Sequence, residues 1–227
     1  EGVASTKLGL KGIPALAEEI MVQRNLQILE YAGGKMHIPT ISTRGSVELI
    51  KKAKAKKLNI TCGVTAYNLL LDETELVGFN SNYKVNPPLR AKDDIDALKK
   101  GVADGVIDVI VSDHYPQDIE SKDLEFDLAD NGMIGLESCY GALNSALNQK
   151  MTLDKIIETI TVNPRSILNL EPNSIKEGVT ANLTLFNPTA KYVFEKANIL
   201  SSNFNTGFIG KELLGKVVGV INHNHFS

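Results

Sequence analysis

The sequence predicts an α/β protein in which parallel βα units are followed by a short β-rich tail. Three observations carry this expectation. Segments with helical apolar spacing alternate with short β-branched runs through most of the chain. Val106 to Ser112 is nearly continuous apolar sequence, the kind found in parallel strands covered on both faces. From Gly178 the helical period stops, and short β-rich pieces separated by Gly, Asn and Ser replace it.

Ile13 to Tyr31 places Ile13, Leu16, Ala17, Ile20, Met21, Leu26 and Leu29 roughly on one helical face, and Gly33-Gly34 stops it. Lys35 to Thr43 reads as a short strand, and Ser46 to Lys57 as an amphipathic helix with Val47, Leu49, Ile50 and Ala53 set between lysines. Asn59 to Thr65 is β-branched and mostly apolar, a buried strand. Tyr83 to Asn86 is expected to be a brief extended piece closed by Pro87-Pro88, and Asp93 to Asp104 a helix whose acidic start suits its N-terminal dipole. After the Val106 to Ser112 strand come helices over Gly135 to Asn148 and Leu153 to Thr161, with Thr152 as a cap, and a short helix from Asn163-Pro164 toward Leu168. Asn182 to Asn187, Tyr192 to Phe194 and Lys216 to Asn222 are the β pieces of the tail.

Arithmetic bounds the architecture. A βα unit takes about 30 residues and an eight-unit barrel about 250, whereas this chain has 227 residues, part of them in the β tail, and four candidate strands. It is not a whole barrel. An open nucleotide-binding sheet is disfavoured too, because neither GxGxxG nor GxxxxGK[ST] occurs. With 24 basic and 27 acidic residues there is no positive surplus for nucleic acid. The apolar runs are far shorter than the ~20 residues of a membrane span, and no charged-then-apolar leader opens the chain. Cys62 and Cys139 lack metal or redox spacing and read as buried free thiols, so a reducing cytoplasm is expected. The chain opens on Glu1 rather than Met and already mid-pattern, as a trimmed or processed piece would.

In parallel α/β proteins the functional groups collect at the C-terminal ends of strands. Asp113 closes a buried apolar strand and precedes His114 and Pro116, which suits a catalytic or metal-binding carboxylate; capping of the following loop is the alternative. In Asn86-Pro87-Pro88-Leu89-Arg90 the prolines fix a loop able to hold Asn86 and Arg90 toward a polar ligand, or simply a rigid turn. His37 reads better as a packed or surface residue than as a ligand, and the His223 and His225 pair as part of a frayed terminus. Outside that terminus only His37 and His114 supply imidazole, too few for a two-metal site.

These clusters, in this order, resemble the C-terminal half of dihydroorotase, a cyclic amidohydrolase of pyrimidine biosynthesis. The matching residues are Leu8 to Pro14 with Ala17-Glu18 and Arg24, Ile41-Ser42-Thr43, Lys84 to Arg90, Ser112-Asp113-His114 with Pro116, Glu120-Ser121-Lys122, Gly132 to Glu137, and Ile175 to Leu183. The resemblance implies the C-terminal half of a (β/α)8 TIM-type barrel over residues 1–174 and part of a small β-sandwich domain over residues 175–227. It implies hydrolysis and formation of the cyclic amide of dihydroorotate, zinc as the family's metal, Asp113 as metal ligand and proton-shuttling base, and Asn86 at the pyrimidine ring. Three positions depart from the family pattern. Thr40 and the Tyr67-Asn68 turn stand where family enzymes carry metal-binding histidines, and Gln117 stands where a histidine binds the substrate carboxylate. Hydroxyls and amides are far poorer zinc ligands than imidazole. The expectation is therefore a chain inactive alone, partnered by a missing N-terminal half or by a second copy. The alternative is a non-catalytic homologue that serves as a scaffold or partner of aspartate transcarbamoylase.

Overall fold

The computed structural model describes residues 2–171, 174–223 and 225–226, so Glu1, at which a trimmed start was read, lies outside the described residues. Three short parallel strands form the first sheet, in the order β1 (Met36–Ile38), β2 (Ile60–Thr65) and β3 (Val109–Val111). Met36 pairs with Ile60 and Thr65 with Val111, so β2 is the central strand, and its Cys62, Val64 and Thr65 are fully buried. Helices α2 (Ala15–Ala32), α3 (Arg44–Ala55) and α4 (Lys92–Ala103) alternate with these strands, after a first short helix α1 (Val3–Leu8) that the sequence reading did not anticipate. Ser46 N donates to the Thr43 side chain at 3.1 Å, a cap that starts α3 two residues earlier than its apolar pattern does.

The expected Lys35 to Thr43 strand is confined to Met36–Ile38, and two further elements differ before the tail. Val106 to Ser112 is a strand only over Val109–Val111, because Val106 N and Ile107 N turn back to the Gly101 carbonyl. Tyr83 to Asn86 does not join the sheet. Ser81–Tyr83 is a single 3-10 turn, and Lys84 O accepts from Gly132 N at 3.0 Å rather than from a neighbouring strand. Beyond β3, an isolated parallel bridge joins His114 to Met133. It is followed by α5 (Ile119–Lys122), α6 (Leu136–Leu147), α7 (Leu153–Glu158) and α8 (Val162–Ile167). Thr152 holds the cap position of α7 without a side-chain bond.

The tail is an antiparallel sheet of β4 (Asn182–Val193), β5 (Glu212–Asn222) and β6 (His225–Phe226). The two β pieces expected before residue 195 are one strand with an irregularity between Asn187 and Lys191. Pro188 sits there, unable to donate to a ladder, and its carbonyl accepts from Asn144 Nδ2 at 2.9 Å. His223 and His225 are exposed, and His225 pairs with Asn222 of β5 rather than fraying. The tail shares the core of the α/β part: Phe194, Phe208 and Leu213 are buried with Ala142 and Leu143 of α6, and Tyr140 meets Phe186 edge-on at 4.8 Å. Cys62 is buried and Cys139 partly so, both as free thiols. No helix among the described residues is long and apolar enough to cross a membrane.

Helix α2 has two apolar faces. Val22, Leu26 and Leu29 are buried, whereas Leu16, Ile20, Ile28 and Tyr31 lie on its outer side with more than half of their surface exposed. Its Glu18 carboxylate accepts from Ser42 N (2.8 Å), Thr43 N (3.2 Å), Ser46 Oγ (2.6 Å) and Ser42 Oγ, and Arg90, itself buried, lies 3.7 Å away. Removing one partner of a buried charged cluster leaves the other uncompensated. Glu18→Ala is therefore expected to lower unfolding free energy by about 3 kcal/mol in denaturant titrations, with little change in m value.

Candidate functional site

Register brings the site together. Since Thr65 pairs with Val111, the residues two positions beyond each strand end, Tyr67 and Asp113, meet above the sheet. The Tyr67 hydroxyl donates to Asp113 Oδ2 at 2.6 Å. Tyr67 is 2% exposed, and burial, then the bond to Asp113, push its phenol well above the ordinary value, so it stays a donor at any physiological pH. Asp113 itself has φ of 46°, a left-handed conformation that Asp tolerates better than most residues. Its carboxylate does not cap the following loop; it faces a cavity.

That cavity, about 610 Å3, is lined by Asn86, Asp113, Tyr115, Gln117, Asp130, Asn131 and Gly132. The three residues singled out from sequence as catalytic or ligand-binding, Asp113, Asn86 and Gln117, thus share one wall. Arg90 does not join them. Its Nε donates to Ser42 Oγ (3.0 Å) and its Nη1 to Ile13 O (2.6 Å), because a buried guanidinium must spend its donors on internal acceptors. Thr40 and Asn68 also stay off the cavity lining; Asn68 donates to Pro88 O at 3.1 Å. His37 Nδ1 is 2.8 Å from Thr61 Oγ1 within the sheet, and burial lowers its pKa. His114 Nδ1 accepts from Gly135 N (3.2 Å), so the ring braces the chain entering α6.

The cavity walls are fixed by residues that sequence reading gave no role. Lys122, buried, directs Nζ to the carbonyls of Asp130 (2.8 Å), Gly132 (3.2 Å) and Lys84 (3.4 Å), tying the Asn86 loop to the 130–132 loop. Asn205 Nδ2 donates to Tyr115 O and Gly132 O, and its Oδ1 accepts from Gln117 N, while Gln117 Nε2 donates to Asn131 O. Gly132 has φ of 143°, and a Cβ there would lie 2.7 Å from Tyr115 O, so only glycine lets these two loops approach. The sequence signals for this frame were Lys122 within the Glu120-Ser121-Lys122 match and Gly132 at the start of the Gly132 to Glu137 match.

Residues 8–210 match the family described as "Amidohydrolase family". The chain belongs to the amidohydrolase family. It is 40% identical over 223 residues to the dihydroorotase of Pelobacter propionicus, covering 97% of this chain and 52% of that protein. To the dihydroorotase of Endomicrobium trichonymphae it is 41% identical over 224 residues, covering 97% and 53%. Among solved structures, a D-hydantoinase and the dihydropyrimidinase of Brevibacillus agri each align with a TM-score of 0.84 at 23% identity, covering 94% of this chain and 49% of theirs. The chain spans about half the length of the curated relatives it matches, and its fold is correspondingly half of a TIM-type barrel with a β-rich tail.

The family is generally metal-dependent, and the donors described in this amidohydrolase half do not by themselves make up a metal centre. Among the described residues no three His, Cys, Asp or Glu side chains gather as ligands. Asp113 spends Oδ2 on Tyr67, and the imidazoles of His37 and His114 are engaged elsewhere.

Burial, with a lesser contribution from Lys84, pulls the Lys122 ammonium down to about 8. Below that pH both folded and unfolded chains hold the proton and the burial cost is present in full. Between about 8 and the ordinary 10.5 the unfolded chain binds the proton more tightly, so stability rises with pH. The rise is at most about 1.4 kcal/mol per pH unit. Urea unfolding on either side of pH 8 is expected to show it in the native chain and not in Lys122→Met.

Proposed function

We propose that this chain is the ligand-loop half of a dihydroorotase-family protein of pyrimidine biosynthesis in the cytoplasm, with the Asp113 cavity as its ligand site. Asn86 and Gln117 would contact the ligand there, and Asp113 would be its anchoring carboxylate. By itself the chain does not catalyse the ring hydrolysis. The observation that carries this reading is the Tyr67 hydroxyl bonded to Asp113 at the strand end where the resemblance calls for a metal-binding histidine. Assayed alone with added zinc, the chain is expected neither to open dihydroorotate nor to close N-carbamoyl-aspartate; turnover in either direction would overturn the proposal.

A second reading, a non-catalytic scaffold, is favoured by the outer face of α2 and the open edge of β1, which among the described residues pairs only with β2. An apolar stripe and an unpaired strand edge each call for cover. The cover proposed is a complementary half-barrel, a second copy of the chain, or a partner enzyme such as aspartate transcarbamoylase. Sedimentation of the isolated chain is expected to reveal self-association that Leu16→Lys with Ile20→Lys reduces. A monodisperse native monomer that unfolds cooperatively would count against both the need for a partner and the scaffold reading.

A further inference from the structure

One buried asparagine of the tail stands between two loops that line the Asp113 cavity. Among the described residues, the 114–117 and 130–134 stretches share one β-bridge, that of His114 with Met133. Beyond it lies Asn205, 5% exposed. Its Oδ1 accepts from Gln117 N at 3.1 Å and its Nδ2 donates to Tyr115 O at 3.1 Å, so the side-chain amide serves residues 115 and 117 as the N–H and C=O of a neighbouring strand residue would. On the other side Nδ2 also donates to Gly132 O at 3.2 Å, and the Asn205 carbonyl accepts from Ile134 N at 2.9 Å. Asn205 thus acts as a strand one residue long. It is held there by anchors of its own: Phe208 is buried in the core, Gly207 O accepts from the Tyr83 hydroxyl at 3.0 Å, and Lys211 Nζ pairs with Glu75 at 2.7 Å. Gly207 permits that approach, since a Cβ there would lie 2.2 Å from the Tyr83 ring. A brace anchored elsewhere sets the spacing of loops that have little ladder between them.

We infer that Asn205 is a positioning residue of the ligand site: it fixes the backbone of Gln117 against Gly132, and so fixes where the Gln117 side chain stands on the cavity wall. The β tail is thereby a working part of the site. This rests on the reading of the Asp113 cavity as the ligand site and adds a residue that does not itself line it.

Residue-resolved amide hydrogen exchange and calorimetric titration with dihydroorotate test this on the full chain. In Asn205→Ala the Gln117 amide loses its acceptor, a side-chain oxygen, whereas Ile134 keeps the backbone carbonyl of residue 205. Gln117 is therefore expected to exchange about tenfold faster, the scale of one net hydrogen bond, while Ile134 and the fully buried Leu143 and Leu213 keep native rates. Dihydroorotate affinity should fall several-fold alongside. Asn205→Asp, of the same size and still offering an oxygen to Gln117 N, should keep that amide protected, and it carries the test if the alanine variant does not fold; Gln117 released in it as well would overturn the inference. So would unchanged Gln117 exchange in Asn205→Ala, or release of Gln117, Ile134 and the core amides together, which marks a merely structural loss. Native dihydroorotate affinity beside a released Gln117 would overturn it too. Absence of dihydroorotate binding by the native chain would overturn the ligand-site reading, and the exchange rates would still decide whether Asn205 sets Gln117.

Discussion

The Glu18 carboxylate is the constraint on which the upper face of the sheet depends. It gathers the backbone amides of Ser42 and Thr43, the hydroxyls of Ser42 and Ser46, and the nearby Arg90 guanidinium, and so joins helix α2, the chain leaving β1, the start of α3 and the loop that carries Asn86. Ser42, Thr43 and Ser46 are fully buried, and polar groups in that position need such an acceptor. Arg90 in turn donates to Ser42 and Ile13. The Asn86 loop is anchored at one end by this cluster and at the other by the Lys122 ammonium, which holds Lys84 O. Asn86 reaches the cavity because its neighbours are pulled the other way.

Lys122 and Asn205 extend the same logic to the far wall. Both satisfy backbone carbonyls of loops that have no ladder of their own, and buried carbonyls left without donors would cost more than these side chains lose in freedom. The cavity is thus built by polar side chains reaching backbone, with few bonds between side chains. Such a frame keeps its shape when residues facing the cavity change, which suits a fold whose function lies in the side chains grafted on it.

Much of this was legible from sequence, and the parts that were not have physical reasons. The parallel strands, their helices and Asp113 followed from apolar periodicity and from a carboxylate at the end of a buried strand. The pairing of Tyr67 with Asp113 did not follow, since it depends on the register of β2 against β3, which periodicity alone leaves free. Arg90 read as a residue free to face a ligand because its partners, Glu18 and Ser42, lie far away along the chain. The continuity of β4 was hidden by Pro188, a residue that ends most strands and is tolerated here in an irregularity. Helix α1 is six residues long, short enough to leave no periodic signal.

The Tyr67–Asp113 pair also bears on what holds the sheet mouth together. A site built from several buried imidazoles and carboxylates depends on a cation to compensate its charges and to complete its folding. Here the strand-end carboxylate is met by a neutral donor from the adjacent strand end at 2.6 Å, Tyr67 being buried and Asp113 half-buried. The other strand-end side chains, Asn68 with Thr65 and Pro88, close their own hydrogen bonds. The polar groups at the sheet mouth are therefore hydrogen-bonded within the chain, with the Asp113 charge left facing the cavity. A half-barrel of this kind holds its walls through these bonds and through the Lys122 and Asn205 frame behind the 130–132 loop.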